Sequence, residues 1–322
     1  GFGRLCVADT RTGAVTEVAR GVHGQLSWAG NRLVALRSGA RTPTQVVAYD
    51  TTDWRRRTLV VGPVAGWESA DLPEPESIEV PHDGTVLHAR RYFARGGRTI
   101  CWVHGGPTDQ WQVDFRPRIA YWWSRGWDVL VPDPRGSTGH GRAYQQALRG
   151  GWGRIDVDDT AAILRAHHAA GSSAPDRTVL MGSSSGGLTV LGLSARHAEL
   201  ATGAVVLYPV ADLSVLADAS HRFEAHYTVH LVGPPGDPSL RSGSPVAYAD
   251  EIDLPVLVMH GDVDPVVPLA STVALVDAVR SGGGDVELVV YPGEGHGFRD
   301  PAHRHDEFRR TAEFLTRVVD RR

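Results

Sequence analysis

Val179-Leu180-Met181-Gly182-Ser183-Ser184-Ser185-Gly186-Gly187 is the stretch on which the fold turns. An apolar run ends in three serines enclosed by glycines, the pattern of a strand that reverses sharply into a helix. In a G-x-S-x-G turn the small flanking residues let the central side chain stand clear of a strained backbone. That frame selects Ser184 over Ser183 and Ser185 as a nucleophile. A motif this short also arises in ordinary Gly/Ser loops, so the reading depends on whether the chain supplies a base, an acid and an oxyanion site in the right places.

Composition narrows the chemistry. With 322 residues, 42% hydrophobic and 22% charged, the chain is long enough for a full core and a second unit. A formal charge of -4 gives no basic field for a phosphate backbone, so nucleic acid is not an expected partner. No apolar run approaches the ~20 residues that span a bilayer, and the start lacks a basic-then-apolar export signal; no membrane partner and a cytoplasmic location are expected. Cys6 and Cys101 stand far apart, without metal or disulfide spacing, and each reads as a small buried apolar residue. The chain contains no lysine, which removes Walker-A, Schiff-base and Ser-Lys chemistry together. Asn31 is the sole asparagine, which weakens a Cys-His-Asn site. Serine, histidine and carboxylate remain.

From the elbow outward, the two halves of the chain differ. Over residues 1–65, short apolar runs at Leu5–Ala8, Val15–Val18, Gln25–Trp28, Arg32–Leu36, Gln45–Tyr49 and Arg57–Val61 alternate with turn residues, which predicts an antiparallel β-meander. A propeller blade takes roughly 40–45 residues, so the meander amounts to little more than one blade. The start at Gly1 rather than Met suggests the C-terminal part of a longer protein. Residues 66–81, rich in Pro and acidic residues, read as a linker. From residue 82 to 322, strands alternate with helices, the mark of a mostly parallel, doubly wound sheet of the α/β class. The predicted strands there are Thr99–His104, Trp127–Val131, Arg177–Met181, Gly203–Tyr208, Pro255–Met259 and Val286–Tyr291. The predicted helices are Arg116–Ser124, Asp156–His168, Ser185–Ala195, Asp212–Val232, Leu269–Arg280 and Asp306–Val319.

A serine hydroxyl becomes a useful nucleophile when a histidine takes its proton and a carboxylate holds that histidine's tautomer. Two loops at strand carboxyl ends offer the partners. His260-Gly261-Asp262-Val263-Asp264-Pro265 follows one strand, and Gly293-Glu294-Gly295-His296-Gly297 follows the last. The order Ser184, Asp264, His296 is that of the α/β-hydrolases. Asp262 is the rival acid and reads as a loop-bracing or solvated carboxylate. An oxyanion needs two N–H donors, and His104-Gly105-Gly106-Pro107 follows the strand expected beside the elbow. The N–H groups of Gly106 and Ser185 are the candidates.

His104–Pro107, Pro132–Gly141, Met181–Gly187, His260–Pro268 and Gly293–Phe298 together resemble the prolyl oligopeptidase family of serine peptidases, within it the acylaminoacyl-peptidase and dipeptidyl-peptidase-like branch. The resemblance covers the chain from about Pro75 onward. It implies an α/β-hydrolase domain that cleaves short peptides or acyl-amino-acid amides through an acyl-enzyme, and it likens the meander to the end of a β-propeller. In that family the segment matching Tyr208-Pro209-Val210 lines the pocket for the residue before the scissile bond, which makes Val210 a candidate pocket wall, alongside its plain reading as a strand-end valine. Family members commonly carry Asn where this chain has Asp133, and no role is carried onto it. Arg135 is expected to pair with a carboxylate inside its own loop, and Trp122 and Trp123 to pack a helix. His226 with His230, and His303 with His305, lack a third ligand, so no metal or other cofactor is called for. An esterase, thioesterase or acyltransferase using the same triad is the alternative, followed by a non-catalytic scaffold. Homo-oligomerisation is compatible with the sequence.

Overall fold

The computed structural model describes residues 2–62, 67, 72–219 and 226–319. The alternation of apolar runs and turns in the first part produces β1 (Arg4–Ala8), β2 (Val15–Arg20), β3 (Val22–Ala29), β4 (Arg32–Gly39), β5 (Thr42–Asp50) and β6 (Arg56–Val61). β1 and β2 form an antiparallel pair, and β3 to β6 form a four-stranded antiparallel sheet in sequence order. Leu5, Leu33, Ala35, Val47 and Tyr49 make the small core of this meander. Cys6, expected to be buried, is exposed, because strand alternation turns it away from the face on which Leu5 is buried.

The second part is an eight-stranded sheet. Its strands are β7 (Glu76–His82), β8 (Thr85–Tyr92), β9 (Arg98–Val103), β10 (Trp127–Asp133), β11 (Thr178–Ser183), β12 (Ala204–Leu207), β13 (Val256–Gly261) and β14 (Val286–Tyr291). They lie in the order β14-β13-β12-β11-β9-β10-β8-β7. β10, β9, β11, β12, β13 and β14 run parallel, so the loops that follow β9, β11, β12, β13 and β14 leave the same edge of the sheet. This is the α/β-hydrolase arrangement. The central strands are continuous apolar runs because both faces are covered: Ile100, Leu130, Val179, Leu180 and Val205 are fully buried.

Among the described residues the α-helices are α1 (Pro117–Ser124), α2 (Arg142–Gln146), α3 (Ile155–Ala169), α4 (Ser185–Arg196), α5 (Leu213–Ala219), α6 (Tyr227–Leu231), α7 (Pro238–Ser242), α8 (Leu269–Ser281) and α9 (Pro301–Val319). The chain divides into two compact units, one made of residues 1–76, 92–94 and 111–126 and the other of residues 77–91, 95–110 and 127–322. Among the described residues no helix is long and apolar enough to cross a membrane.

Several expectations need correction. Within the expected linker 66–81, residues 66 and 68–71 lie outside the described residues, but Glu76–His82 is strand β7. Pro81 disguised it; an edge strand tolerates proline, and β7 is the sheet's edge. The neighbouring β8 was also not anticipated, because Arg90 and Arg91 hide its apolar alternation, although Arg90 is buried against Asp133. Arg135 pairs with a helix rather than with its own loop: its backbone N–H, Nε and Nη2 all donate to the buried Asp159 of α3 at 2.6–3.1 Å. The expected helix 212–232 is two helices, α5 and α6, and residues 220–225 between them lie outside the described residues.

Asp156, in the first turn of α3, is more than a dipole-compatible charge. Its carboxylate accepts from the Gly153 N–H at 2.7 Å and from Thr189 Oγ1 of α4 at 2.5 Å, tying the two helices together. Burial pushes its pKa up to about 6, against these hydrogen bonds. A folded-state carboxyl raised above its unfolded value contributes stability that is complete below the unfolded pKa and is lost as pH rises through about 6. That displacement corresponds to on the order of 2–3 kcal/mol. Asp156→Asn keeps the acceptor for Gly153 and cannot ionise, so it is expected to melt several degrees above the wild type at pH 8 and level with it at pH 4. Thermal unfolding followed at both pH values checks the sign.

Candidate active site

Ser184 sits between β11 and α4 with φ +55° and ψ −123°, a strained conformation for a residue with a side chain. Close packing of the turn explains the glycines. A Cβ on Gly182 would lie 2.2 Å from the Gly186 carbonyl oxygen, and one on Gly186 would lie 2.4 Å from that of Val103 on β9. Ser184 is further held by its own N–H, which donates to Leu207 at 3.0 Å, and by its carbonyl, which accepts from Val210 at 3.1 Å. Ser185 opens α4, so its N–H belongs to the first turn, where amides have no partner within the helix and the dipole favours negative charge.

β13 and β14 deliver the other two groups. His296 Nδ1 lies 2.8 Å from Asp264 Oδ2. The Asp264 side chain is fully buried, whereas that of His296 is 22% exposed. Asp264 Oδ1 accepts from the N–H groups of Val266 at 2.8 Å and Val267 at 3.0 Å. Burial works to raise the Asp264 pKa, but hydrogen bonds from His260, His296 and these backbone amides outweigh it and hold the carboxyl well below the usual range. The group is a carboxylate at neutral pH. Asp262, the rival acid, accepts from the Gly293 N–H at 2.6 Å and so links the two loops, while Asp264 holds His296 Nδ1. Glu294 braces the same region, accepting from the N–H groups of Arg299 and Asp300 at 2.8 Å and from His303 Nδ1 at 2.9 Å.

Ser184, Ser185, His296, Gly106 and Val210 line one cavity of about 570 Å³. Trp152, Leu216, Val266 and Val267 add apolar wall, and the described lining includes no Asp, Glu or Arg. The loop carrying Gly106 approaches the elbow closely: a Cβ on Gly105 would lie 3.3 Å from the Ser183 carbonyl oxygen. A serine on a strained turn, an imidazole paired with a buried carboxylate, and the Gly106 and Ser185 backbone thus border a common apolar space.

Two side chains around the site make contacts that the sequence did not show. Tyr208, at φ +37° just after β12, places its ring centroid 4.7 Å from that of His296 and 5.6 Å from that of Phe298. Its place at the end of a parallel strand was the available signal. Tyr227 at the start of α6 had none. Its hydroxyl donates to the Gly106 carbonyl at 3.1 Å, accepts from the Thr108 N–H at 3.1 Å and meets Thr108 Oγ1 at 2.5 Å, clamping the turn that presents Gly106. Tyr227→Phe should loosen that turn and lower kcat about fivefold with little change in KM, since roughly 1 kcal/mol of hydrogen bonding is lost. Steady-state kinetics on one substrate separate the two constants.

Behind the same loop, Asp133 is buried and accepts from Gln110 Nε2 at 2.8 Å and His140 Nε2 at 2.9 Å, besides its pair with Arg90. Burial would raise its pKa, yet the His140 hydrogen bond and the Arg90 charge hold it below the ordinary range. The role left unassigned from sequence is therefore an ionic anchor beneath the 105–110 and 134–141 loops.

The dipeptidyl peptidase family member 6 of Caenorhabditis elegans is 30% identical over 231 residues, which cover 69% of this chain and 31% of that protein. Dipeptidyl aminopeptidase BIII of Pseudoxanthomonas mexicana is 31% identical over 207 residues, covering 62% of this chain and 30% of its own. A solved puromycin-hydrolyzing peptidase of Mycobacterium tuberculosis superposes with a TM-score of 0.91 at 29% identity, covering 98% of this chain and 50% of that one. The chain spans about a third of the length of these curated relatives and half of that solved chain. The prolyl oligopeptidase family model matches residues 113–322, about two thirds of the chain, and the chain belongs to that family.

Proposed function

We propose that the protein is a serine peptidase that hydrolyses short peptides or acyl-aminoacyl amides through an acyl-enzyme. The observation that carries this reading is that Ser184 and His296 share a cavity wall with Gly106 while His296 Nδ1 lies 2.8 Å from a buried carboxylate. His296 Nε2 takes the Ser184 proton as Oγ attacks the carbonyl carbon, and Asp264 stabilises the resulting imidazolium. The N–H groups of Gly106 and Ser185 receive the oxyanion. His296 then protonates the departing amine, and a water repeats the sequence to release the acid. Val210, Trp152 and Leu216 form the wall for an apolar acyl-side residue. The two cysteines are unpaired, in keeping with a reducing, cytoplasmic setting.

Parallel assays of an N-acyl-phenylalanine anilide, the matching ethyl ester and the N-acyl-aspartate anilide test the proposal. Turnover of the phenylalanine anilide, with the aspartate compound slower by about a hundredfold or more, is expected, because an unpaired carboxylate is costly to bring into apolar surroundings. Turnover of the ester alone would replace the peptidase reading with an esterase.

A further inference from the structure

A second histidine lies against the acid of the triad. His260, the penultimate residue of β13, has a fully buried side chain, and its Nε2 is 3.4 Å from Asp264 Oδ2. The same nitrogen is 3.0 Å from the Val267 carbonyl oxygen, which can only accept, so Nε2 carries a hydrogen, bonded to that carbonyl with Asp264 Oδ2 beside it. The opposite nitrogen, Nδ1, lies 3.0 Å from Thr272 Oγ1 on α8, whose hydroxyl donates to it. In this tautomer both ring nitrogens are satisfied. Asp264 is thereby held at both oxygens: two backbone amides at Oδ1, and His296 Nδ1 with His260 Nε2 at Oδ2.

We infer that His260 is a positioning residue of the active site, whose Nε2–H beside Oδ2 steadies the Asp264 carboxylate and draws charge from the oxygen that serves His296. The inference rests on the triad proposed above. A positive N–H pole beside Oδ2 makes that oxygen a weaker partner for the imidazolium while holding its geometry. Thr272 acts one step further out, by selecting the tautomer that puts the hydrogen on Nε2. The other titratable groups around the unit are Tyr208, whose ring faces His296, and two carboxylates engaged elsewhere: Asp262 with the Gly293 N–H, and Glu294 with His303 and the amides of Arg299 and Asp300.

The test follows the rate at which an alkyl fluorophosphonate labels Ser184, a reaction that needs His296 as base but no knowledge of the natural substrate. The rate is measured against pH for wild type, His260→Leu, His260→Gln and Thr272→Val, with melting temperatures alongside. His260→Leu is expected to slow labelling about ten- to a hundredfold, the loss of one hydrogen bond to a charged group, and to move the midpoint of the acid limb upward by about half a pH unit or more. His260→Gln retains an N–H donor at the place of Nε2 and should restore most of the rate and the original midpoint. Thr272→Val should shift both in the direction of His260→Leu, by less. Equal rates and unmoved midpoints for Leu and Gln, with the same fall in melting temperature, would reduce His260 to packing and overturn the inference. Ser184→Ala and His296→Ala distinguish the deeper failure: a wild type that does not label, or a His296→Ala protein that labels normally, removes the triad and this inference with it.

Discussion

Ser184→Ala is expected to lower turnover of an acyl-aminoacyl anilide about a millionfold, to the level left by binding and the oxyanion donors alone. The neighbouring serines provide the contrast. Ser185→Ala should retain activity within about tenfold, because the group assigned to the reaction at that position is the backbone N–H, which alanine keeps. The Ser185 hydroxyl is buried without a hydrogen-bond partner among the described residues, so its removal should cost little stability and could raise it. Ser183 is the last residue of β11, and its side chain precedes the turn; Ser183→Ala should likewise stay within about tenfold. Folding should survive the Ser184 change, since the φ of +55° is held by the turn and alanine adds no atom beyond the Cβ already present. The three variants are assayed on one substrate with melting curves in parallel. Ordinary turnover by Ser184→Ala, or its loss in Ser183→Ala instead, would move the nucleophile.

The second large effect belongs to Asp264→Asn, for which a fall of about 10⁴ in kcat is expected. The size follows from which way the amide must sit. The N–H groups of Val266 and Val267 both point at Oδ1, so they recruit the asparagine oxygen to that position and force its NH₂ to the place of Oδ2. There it meets the N–H of His260 and turns a donor toward His296 Nδ1, which selects the wrong imidazole tautomer for a base. Asp262→Asn leaves an acceptor for the Gly293 N–H and should change kcat by less than a few-fold. Comparable losses in the two variants would reassign the acid. Linkage gives a further check. A carboxyl held below its unfolded pKa contributes stability that is present above that unfolded value and is lost as pH falls through the folded one. The wild type should therefore outlast Asp264→Asn in stability at neutral pH and converge with it in strong acid, as melting curves across that range would record.

Much of this molecule was legible as sequence because the signals are local. The elbow, the strand and helix alternation, and the two loops bearing Asp264 and His296 each declare themselves within about ten residues. Steric rules act at that range: apolar periodicity reports burial, and Gly or Pro reports where regular pairing stops. The same locality explains the misreadings. β7 looked like a linker because Pro81 and the prolines before the strand spoke louder than Val80, its one buried residue, and β8 was masked by an arginine whose partner, Asp133, lies 43 residues further on.

What the sequence determined by itself was the class of fold and the identity and order of the candidate reacting groups, since each follows from residue type at a strand end. Tertiary structure alone decided which groups hold them. Tyr227 reaches a carbonyl 121 residues away, Arg135 finds Asp159 on α3, and His260 meets Asp264 because the loop after β13 folds back over the end of its own strand. The first two contacts join segments far apart in the chain and the third depends on the path a loop takes, and none of the three is encoded by the apolar periodicity and turn residues that mark the strands and helices.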